Sequence, residues 1–236
     1  MKSTAMRITA LVATAATAVA LAGCTTTGAA SESEGTIALL LPESQTARYE
    51  AFDRPIFEER VAALGDFDVL YSNADQDAAK QQQQAEAALT AGAEVLVLDP
   101  VDAQAAVSIV ETANAEGIPV VSYDRLVAGG ELAYYISFDN EQVGVLQGET
   151  LVAALDADGA TGGILMVNGS PTDGNAALFK AGAHSVIDDS GYTVLAEFDT
   201  PDWSPENAQQ WVAGQLTQFE GQISAIYAAN DGTGGG

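Results

Sequence analysis

The sequence predicts an α/β protein whose strands are parallel. From residue 36 onward, short apolar runs rich in Val, Ile and Leu alternate with longer stretches of helical period. Alternation at such short intervals is typical of parallel sheets that are covered by helices on both faces. After a Gly-rich break at 159–163 the same alternation begins again, which indicates a second α/β lobe.

The N-terminal lobe, which we assign to residues 36–138, is predicted to contain five strands and three helices. Each predicted helix ends at a glycine, and Asp102 is expected to cap the third, because these residues favour helix ends. The Gln run 81–84 falls inside the second helix, so we interpret it as a solvated helix face. The predicted strands are 36–41, 67–72, 95–98, 118–123 and 133–138, and the predicted helices are 48–64, 75–91 and 103–116.

The C-terminal lobe, which we assign to residues 139–236, is predicted to be incomplete. Asp139 or Asn140 is expected to cap its long first helix, and Ser204 with Pro205 to begin its last one. The final segment, 230–236, has the pattern of a strand-to-helix turn without the helix, so a truncated chain is expected. The predicted helices are 140–155, 175–187 and 205–219, and the predicted strands are 164–167, 192–198 and 225–229.

The first 23 residues have the pattern of a targeting segment. Lys2 and Arg7 precede an Ala-rich apolar run that is short for a membrane span. The run ends in Leu-Ala-Gly-Cys at 21–24, which resembles the bacterial lipoprotein signal. The resemblance implies that Cys24 is lipidated, that 24–35 is a flexible tether and that the protein is extracytoplasmic and anchored to the cell membrane by lipid. The alternative is an uncleaved anchor with an unmodified cysteine.

The strong acidity of the chain argues against nucleic acid and anionic lipid as ligands. The formal net charge is −25, from 33 acidic residues against 8 Lys and Arg. Binding to phosphate groups requires cations that neutralise them. A neutral ligand such as a sugar fits this balance, and no nucleic-acid partner is expected.

Most kinds of catalytic site lack their components in this sequence. The chain has one histidine, His184, which we interpret as a surface residue of a helix, and one cysteine, so zinc sites and Ser-His-Asp triads have little to build on. The sequence Gly-Ser-Pro at 169–171 does not match the Gly-x-Ser-x-Gly of a nucleophile elbow. The loop 42–49 after the first strand has none of the glycines that a dinucleotide site requires there. We therefore expect no enzyme, no cofactor and no metal.

Polar and aromatic side chains follow the predicted strands at their carboxyl ends, where open α/β sheets bind ligands. Asp124 and Arg125 follow the fourth strand, and such a pair can accept from and donate to neighbouring hydroxyl groups. Flat rings can cover the apolar face of a sugar. The alternatives are surface ion pairs, helix caps and local packing. The candidate ligand-binding residues are Arg48, Tyr49, Asp124, Arg125, Asp173, Asn175, Lys180, Trp203 and Asn230.

A series of short motifs then resembles a known family. The motifs are YDR at 123–125, YISFDNEQVG at 135–144, GSPTDGNA at 169–176, LFKAG at 178–182, WSPENA at 203–208 and Ala-Asn-Asp at 229–231. In this order they resemble sugar-binding lipoproteins of ABC transporters, the pentose and ribose type of periplasmic binding protein, and most of all the D-xylose-binding proteins.

The resemblance implies two Rossmann-like lobes of the type I periplasmic-binding-protein fold, joined by hinge strands and closing on one sugar. It implies that Trp203 stacks on the sugar ring and that Arg48 and Tyr49 match an Arg-aromatic pair. Relatives often carry Arg where this chain has Lys180, and they continue beyond the Gly-rich turn. By resemblance, the hydroxyl-binding residues are Asp124, Arg125, Asp173, Asn175, Lys180 and Asn230.

The resemblance further implies a monomeric, non-enzymatic receptor. It would capture a monosaccharide, D-xylose by expectation, and deliver it to an ABC permease. A receptor that feeds a membrane sensor kinase and an extracytoplasmic enzyme acting on sugars are the alternatives.

Overall fold

Two parallel sheets form the framework of the protein in the computed structural model, which describes residues 33–236. The first has the strand order β2-β1-β3-β4-β5 and the second the order β7-β6-β8. Ser33–Gly236 pack as one compact unit. The predicted signal segment, Cys24 and the tether up to residue 32 lie outside the described residues. The predicted α/β class with two parallel-sheet lobes is confirmed.

The first sheet is built from the strands that the apolar runs predict, with ends that differ from the prediction by at most two residues. They are β1 (Gly35–Leu41), β2 (Phe67–Asn73), β3 (Val95–Leu98), β4 (Val120–Tyr123) and β5 (Tyr134–Ile136).

Strands β1 and β3 are buried on both faces, as a helix-covered parallel sheet requires. Leu40 and Leu98 pack on one side under the second and third helices, and Leu39 and Val97 pack on the other side with Tyr49. The helices of this lobe are α1 (Arg54–Leu64), α2 (Ala78–Thr90) and α3 (Val107–Ala115).

All three helices of the first lobe start later than predicted, and α2 begins at Ala78 instead of residue 75, after its cap Asp77. A π-helical turn, Tyr49–Asp53, precedes α1. Helix α3 begins at Val107 rather than at 103, because the Asp102 carboxylate accepts hydrogen bonds from the main-chain N–H groups of Gln104 and Ala105 and closes a separate turn.

The interpretation of the Gln run as a solvated face is wrong for its first member. Gln81 is 1% exposed, and its side-chain amide donates to the Asp99 carbonyl at 2.8 Å and accepts from the Val101 N–H at 2.9 Å. The buried amide therefore fixes the loop that follows β3. Gln83, two residues further on, is exposed.

The chain passes from the first lobe to the second between β5 and α4 (Asn140–Asp158), which Asp139 caps. Helix α4 packs against α5 (Gly174–Ile187) at very short range. A Cβ atom on Gly144 would lie 2.2 Å from the Phe179 carbonyl oxygen, so a larger residue cannot be accommodated there.

The second sheet consists of β6 (Gly163–Asn168), β7 (Val194–Asp199) and β8 (Ile223–Ala228). Its central strand β6 is buried throughout, and α6 (Pro205–Gln218) covers the side away from α4 and α5. The expectation that no helix follows the last strand is corrected by α7 (Asp231–Gly235), a single turn that Asn230 caps. Within residues 33–236, no helix is long and apolar enough to cross a membrane.

Candidate functional site

A cleft of about 240 Å³ lies where the carboxyl ends of the strands of both sheets meet. This is the position at which parallel α/β sheets place their ligands. The first lobe lines it with Thr46, Arg48, Tyr49, Asp124 and Arg125. The second lobe lines it with Asn140, Gln147, Asp173, Asn175, Phe179, Trp203, Ala229, Asn230 and Asp231, and Phe138 lies on the segment that connects the two lobes.

Asp124 sits at the centre of the first lobe's contribution. Its backbone has a φ of 59°, a left-handed conformation that Asp tolerates better than most residues. Its Oδ2 accepts a hydrogen bond from the Tyr49 hydroxyl at 2.7 Å and one from Arg48 Nη2, also at 2.7 Å. Arg48 is held in turn by Asp53, whose Oδ2 lies 3.1 Å from its Nε. The three side chains form one acceptor with two donors.

Arg125 is the most deeply enclosed charge of the cleft, with 3% exposure. Its Nε forms an ion pair with Asp173 Oδ2 of the second lobe at 3.0 Å, and its Nη1 donates to the Pro100 carbonyl at 3.4 Å. Burial alone would lower the pKa of Arg125, but the acidic groups around it, Tyr49, Asp173, Asp99 and Glu43, raise that pKa above its ordinary value. Arg125 therefore stays cationic inside the protein.

Asp173, at the start of α5, contacts three groups. It caps the helix by accepting from the Asn175 N–H at 2.9 Å, and its Oδ2 accepts from Trp203 Nε1 at 3.1 Å and faces Arg125. Burial raises the pKa of Asp173, although Arg125 opposes this shift. The carboxylate thus fixes a cation from the other lobe and an indole from its own.

Trp203 forms an apolar wall of the cleft. It ends a short 3-10 turn, Pro201–Trp203, with a φ of 54°, and it is 4% exposed. Its ring lies so close to Gly169 that a Cβ there would be 2.0 Å from the indole. Phe179 approaches the same ring edge-on, with centroids 6.4 Å apart. Glycine at 169 is therefore required for the ring to occupy this position.

Asn175 and Asn140 carry a hydrogen-bond chain between the lobes. Asn175 Nδ2 donates to the Asp124 carbonyl at 3.1 Å, and Asn140 Nδ2 donates to Asn175 Oδ1 at 3.0 Å. Asn140, considered above as a helix cap, lines the cleft instead, and Asp139 is the cap.

Lys180 does not lie among the residues that line the cleft. Its ammonium pairs with Glu197 at 3.0 Å and with Asp199 at 3.1 Å on the surface of the second lobe. The helix turns about 100° per residue, so Phe179 faces the cleft and Lys180 faces β7. Asn230 does line the cleft, and its Oδ1 also accepts from the Thr233 N–H at 2.8 Å to cap α7.

Sequence reasoning missed several residues of the site. Thr46 lines the cleft in a loop for which the sequence gives no periodic signal, and Phe138, predicted as the end of the fifth strand, lines it just beyond β5. Phe179 falls within a family-like motif but looks like any apolar helix residue. Glu43 and Asp99, both 0% exposed, are indistinguishable in the sequence from the many surface acids. Among the described residues, no group of three or more His, Cys, Asp or Glu side chains could hold a metal ion.

The site combines fixed donors, fixed acceptors and flat apolar rings in a small enclosed space. A model of the family described as periplasmic binding protein domain matches residues 37–236. The chain belongs to this family. The sequence-based resemblance to type I periplasmic binding proteins is thereby confirmed.

Several relatives of this periplasmic binding protein are described as sugar-binding proteins. It is 34% identical over 212 residues to the D-xylose-binding periplasmic protein of Escherichia coli (strain K12). The aligned segment covers 88% of this chain and 62% of that protein. It is 32% identical over 214 residues to a multiple sugar-binding periplasmic receptor of Rhizobium radiobacter, and this alignment covers 84% of this chain and 60% of that protein. The chain thus spans about 60% of the length of these curated relatives.

Solved structures of ABC transporter solute-binding proteins share the fold. One from Clostridium phytofermentans with bound β-D-glucose gives a TM-score of 0.75 at 27% identity, covering 84% of this chain and 65% of that one. One from Mycobacterium smegmatis with bound glycerol gives 0.74 at 26% identity, covering 84% and 67%.

Proposed function

We propose that this protein binds one monosaccharide in the cleft between its lobes and has no enzymatic activity. The observation that carries the proposal is the Arg125–Asp173 ion pair with Asp124 and Trp203 around it. A guanidinium, two carboxylates and an indole from both lobes converge on one space of about 240 Å³. Sugar hydroxyls need paired donors and acceptors, and the C–H face of a sugar needs a flat apolar surface.

Eight residues named from the sequence are proposed as ligand-binding residues. Lys180 is left out because its two ion pairs hold it outside the cleft. In this proposal the hydroxyl groups of the sugar replace part of the pairing that the side chains now make with one another. The proposed residues are Arg48, Tyr49, Asp124, Arg125, Asp173, Asn175, Trp203 and Asn230.

D-xylose is the sugar that we propose first. The relatives from Escherichia coli and Haemophilus influenzae, described as D-xylose-binding, are 34% and 33% identical to this chain. The small volume of the cleft favours a single monosaccharide over an oligosaccharide. A dissociation constant near micromolar would correspond to about −8 kcal/mol, which several charge-assisted hydrogen bonds and one ring contact can supply.

We further propose delivery of the sugar to an ABC permease after closure of the lobes. Solute-binding proteins of ABC transporters are among the solved structures similar to this chain. The site of action would be outside the cytoplasmic membrane, with Cys24 as a lipid anchor and the receptor as a monomer. We also propose lobe boundaries at 36–138 and 139–236, and the passage of the chain between β5 and α4 supports them.

Calorimetry tests the binding proposal directly. Xylose, ribose, glucose and galactose are titrated into the protein, and we expect the tightest binding for xylose. Arg48→Ala removes a donor from the Asp124 carboxylate and is expected to weaken xylose binding about tenfold. Lys180→Ala is the matched control, because that cation lies outside the cleft. Absence of binding to all four sugars would reject the proposed function.

A further inference from the structure

Arg125 has carboxylate partners in both lobes. Across the cleft it meets Asp173, at 3.0 Å from its Nε. Within its own lobe, Asp99 Oδ1 lies 3.6 Å from the same Nε and Glu43 Oε1 lies 3.7 Å from Nη2. Neither Glu43 nor Asp99 lines the cleft, and both are 0% exposed.

The two carboxylates of the first lobe are tied to Arg125 by the sheet itself. Strands β1, β3 and β4 are consecutive neighbours, Glu43 follows β1, Asp99 follows β3 and Arg125 follows β4. The distances from Arg125 to Glu43 and to Asp99 therefore do not depend on the position of the second lobe. Asp173 belongs to that second lobe, and its distance to Arg125 changes whenever the lobes separate.

Both carboxylates are themselves held in place. Glu43 Oε2 accepts from the Thr46 N–H at 2.9 Å, which leaves Oε1 turned toward Arg125. The main chain of Asp99 is fixed by two hydrogen bonds, from its N–H to the Leu40 carbonyl and to its carbonyl from the buried Gln81 amide.

The remaining oxygens have no other partner among the described residues. Glu43 Oε1 and both carboxylate oxygens of Asp99 are buried and accept no hydrogen bond in residues 33–236. Within that part of the chain, Arg125 is the cation that lies within 4.0 Å of either group. A buried carboxylate without a donor is costly unless a cation compensates it. The two acids and the guanidinium therefore require one another.

We propose that Glu43 and Asp99 are positioning residues for Arg125, holding its guanidinium aimed at the cleft when Asp173 is withdrawn. The inference rests on the proposed sugar-binding function for its effect on affinity, but not for its effect on the arginine. Pre-orientation of this kind strengthens binding because less freedom is lost when the ligand arrives.

The arrangement links ligand affinity to the ionisation of Asp99. Burial raises the pKa of Asp99 well above its ordinary value, and Arg125 opposes that shift. The charged groups that act on Asp99 are Arg125, Asp124, Asp173 and Arg48. Glu43 faces the same guanidinium, and Tyr49 interacts electrostatically with Asp99. When Asp99 takes up a proton, its attraction for Arg125 is lost.

The first test follows the arginine without any sugar. The ¹⁵N–¹H signal of Arg125 Nε is recorded from pH 5 to pH 9 in the unmodified protein, in Asp99→Asn and in Glu43→Gln, and is assigned from its loss in Arg125→Lys. We expect a titration step with a midpoint above that of an ordinary Asp, and we expect Asp99→Asn to remove that step. An identical curve in the unmodified protein and Asp99→Asn would overturn the proposal.

The second test measures xylose affinity over the same pH range. At the basic end, Asp99→Asn is expected to bind xylose about tenfold more weakly than the unmodified protein, and the ratio should approach one as the pH falls. Asp102→Asn, a half-buried carboxylate three residues away that caps a turn, is the matched control. Equal affinity of Asp99→Asn and the unmodified protein at every pH would refute the positioning role. If no sugar binds while the arginine signal behaves as expected, the proposed function fails and the positioning of Arg125 stands.

Discussion

Arg125 of the first lobe and Asp173 of the second meet at 3.0 Å, with both side chains only 3% exposed. Each belongs to a different lobe, so their contact exists only while the two lobes are together. The same Asp173 oxygen accepts from Trp203 Nε1. The carboxylate of Asp173 therefore contacts both the cation of the other lobe and the indole that forms the wall of the cleft.

Replacement of Asp173 by Asn should weaken xylose binding about tenfold, because the charge that attracts Arg125 is lost while size and shape are kept. Folding should be retained, since Asn caps a helix as well as Asp does. Calorimetry measures the affinity. Asp139→Asn, at the cap of α4 and outside the cleft, is the control. Equal affinities of the two variants would contradict the prediction.

Gly169→Ala should destabilise the protein by about 1–3 kcal/mol, because the new methyl group would lie 2.0 Å from the indole of Trp203. The free energy of unfolding is measured by urea denaturation. Gly174→Ala serves as the comparison, since a Cβ at that position has no neighbour within 4 Å. The contact is misjudged if both variants unfold at the same urea concentration.

Gln81→Leu should lower the free energy of unfolding by about 2 kcal/mol or more, because the Asp99 carbonyl and the Val101 N–H both lose a buried partner. Gln83→Leu, on an exposed position of the same helix, should change stability by less than about 0.5 kcal/mol. Thermal and chemical denaturation of the two variants give the comparison. A loss of similar size in both would show that the buried amide has no special role.

His184 should make the stability of the second lobe depend on pH. Partial burial lowers the pKa of His184, but hydrogen bonds to Asp188 and Glu197 outweigh this and raise it above 6.5. Because the folded-state pKa is the higher one, the stabilisation is fully present below pH 6.5 and is lost as the pH rises through the raised value.

The melting temperature of the unmodified protein, relative to that of His184→Gln, is therefore expected to fall as the pH rises from about 6 through the raised pKa of His184. Differential scanning calorimetry at several pH values measures this difference. A difference that stays constant with pH would reject the role of the histidine.

Most of the fold could be predicted from the sequence because most of the strands and helices show their characteristic period in it. Strand β3 begins and ends where its apolar run does, and the glycine after each early helix marks a real helix end. These signals are local, and each depends on a few neighbouring residues.

The site could be predicted only in part, because identical residue types have different surroundings. Gln81 and Gln83 are the same residue on one helix, yet one is buried and the other exposed. Lys180 stands next to Phe179, and the helical rotation alone decides which of them reaches the cleft. Asp99 is one acid among 33, and its burial depends on Arg125, which is distant in sequence.

Asn175 Nδ2 donates to the carbonyl oxygen of residue 124 at 3.1 Å, whereas its contact with the Asp124 carboxylate is longer, at 3.5 Å. A replacement of Asp124 that preserves the left-handed backbone, such as Asn or Gly, would leave that link between the lobes intact while it changes what the cleft offers to a ligand. The side chain at residue 124 can therefore be changed to alter ligand selectivity while the hydrogen bond from Asn175 is kept. This makes residue 124 a starting point for the design of a sensor with a new specificity.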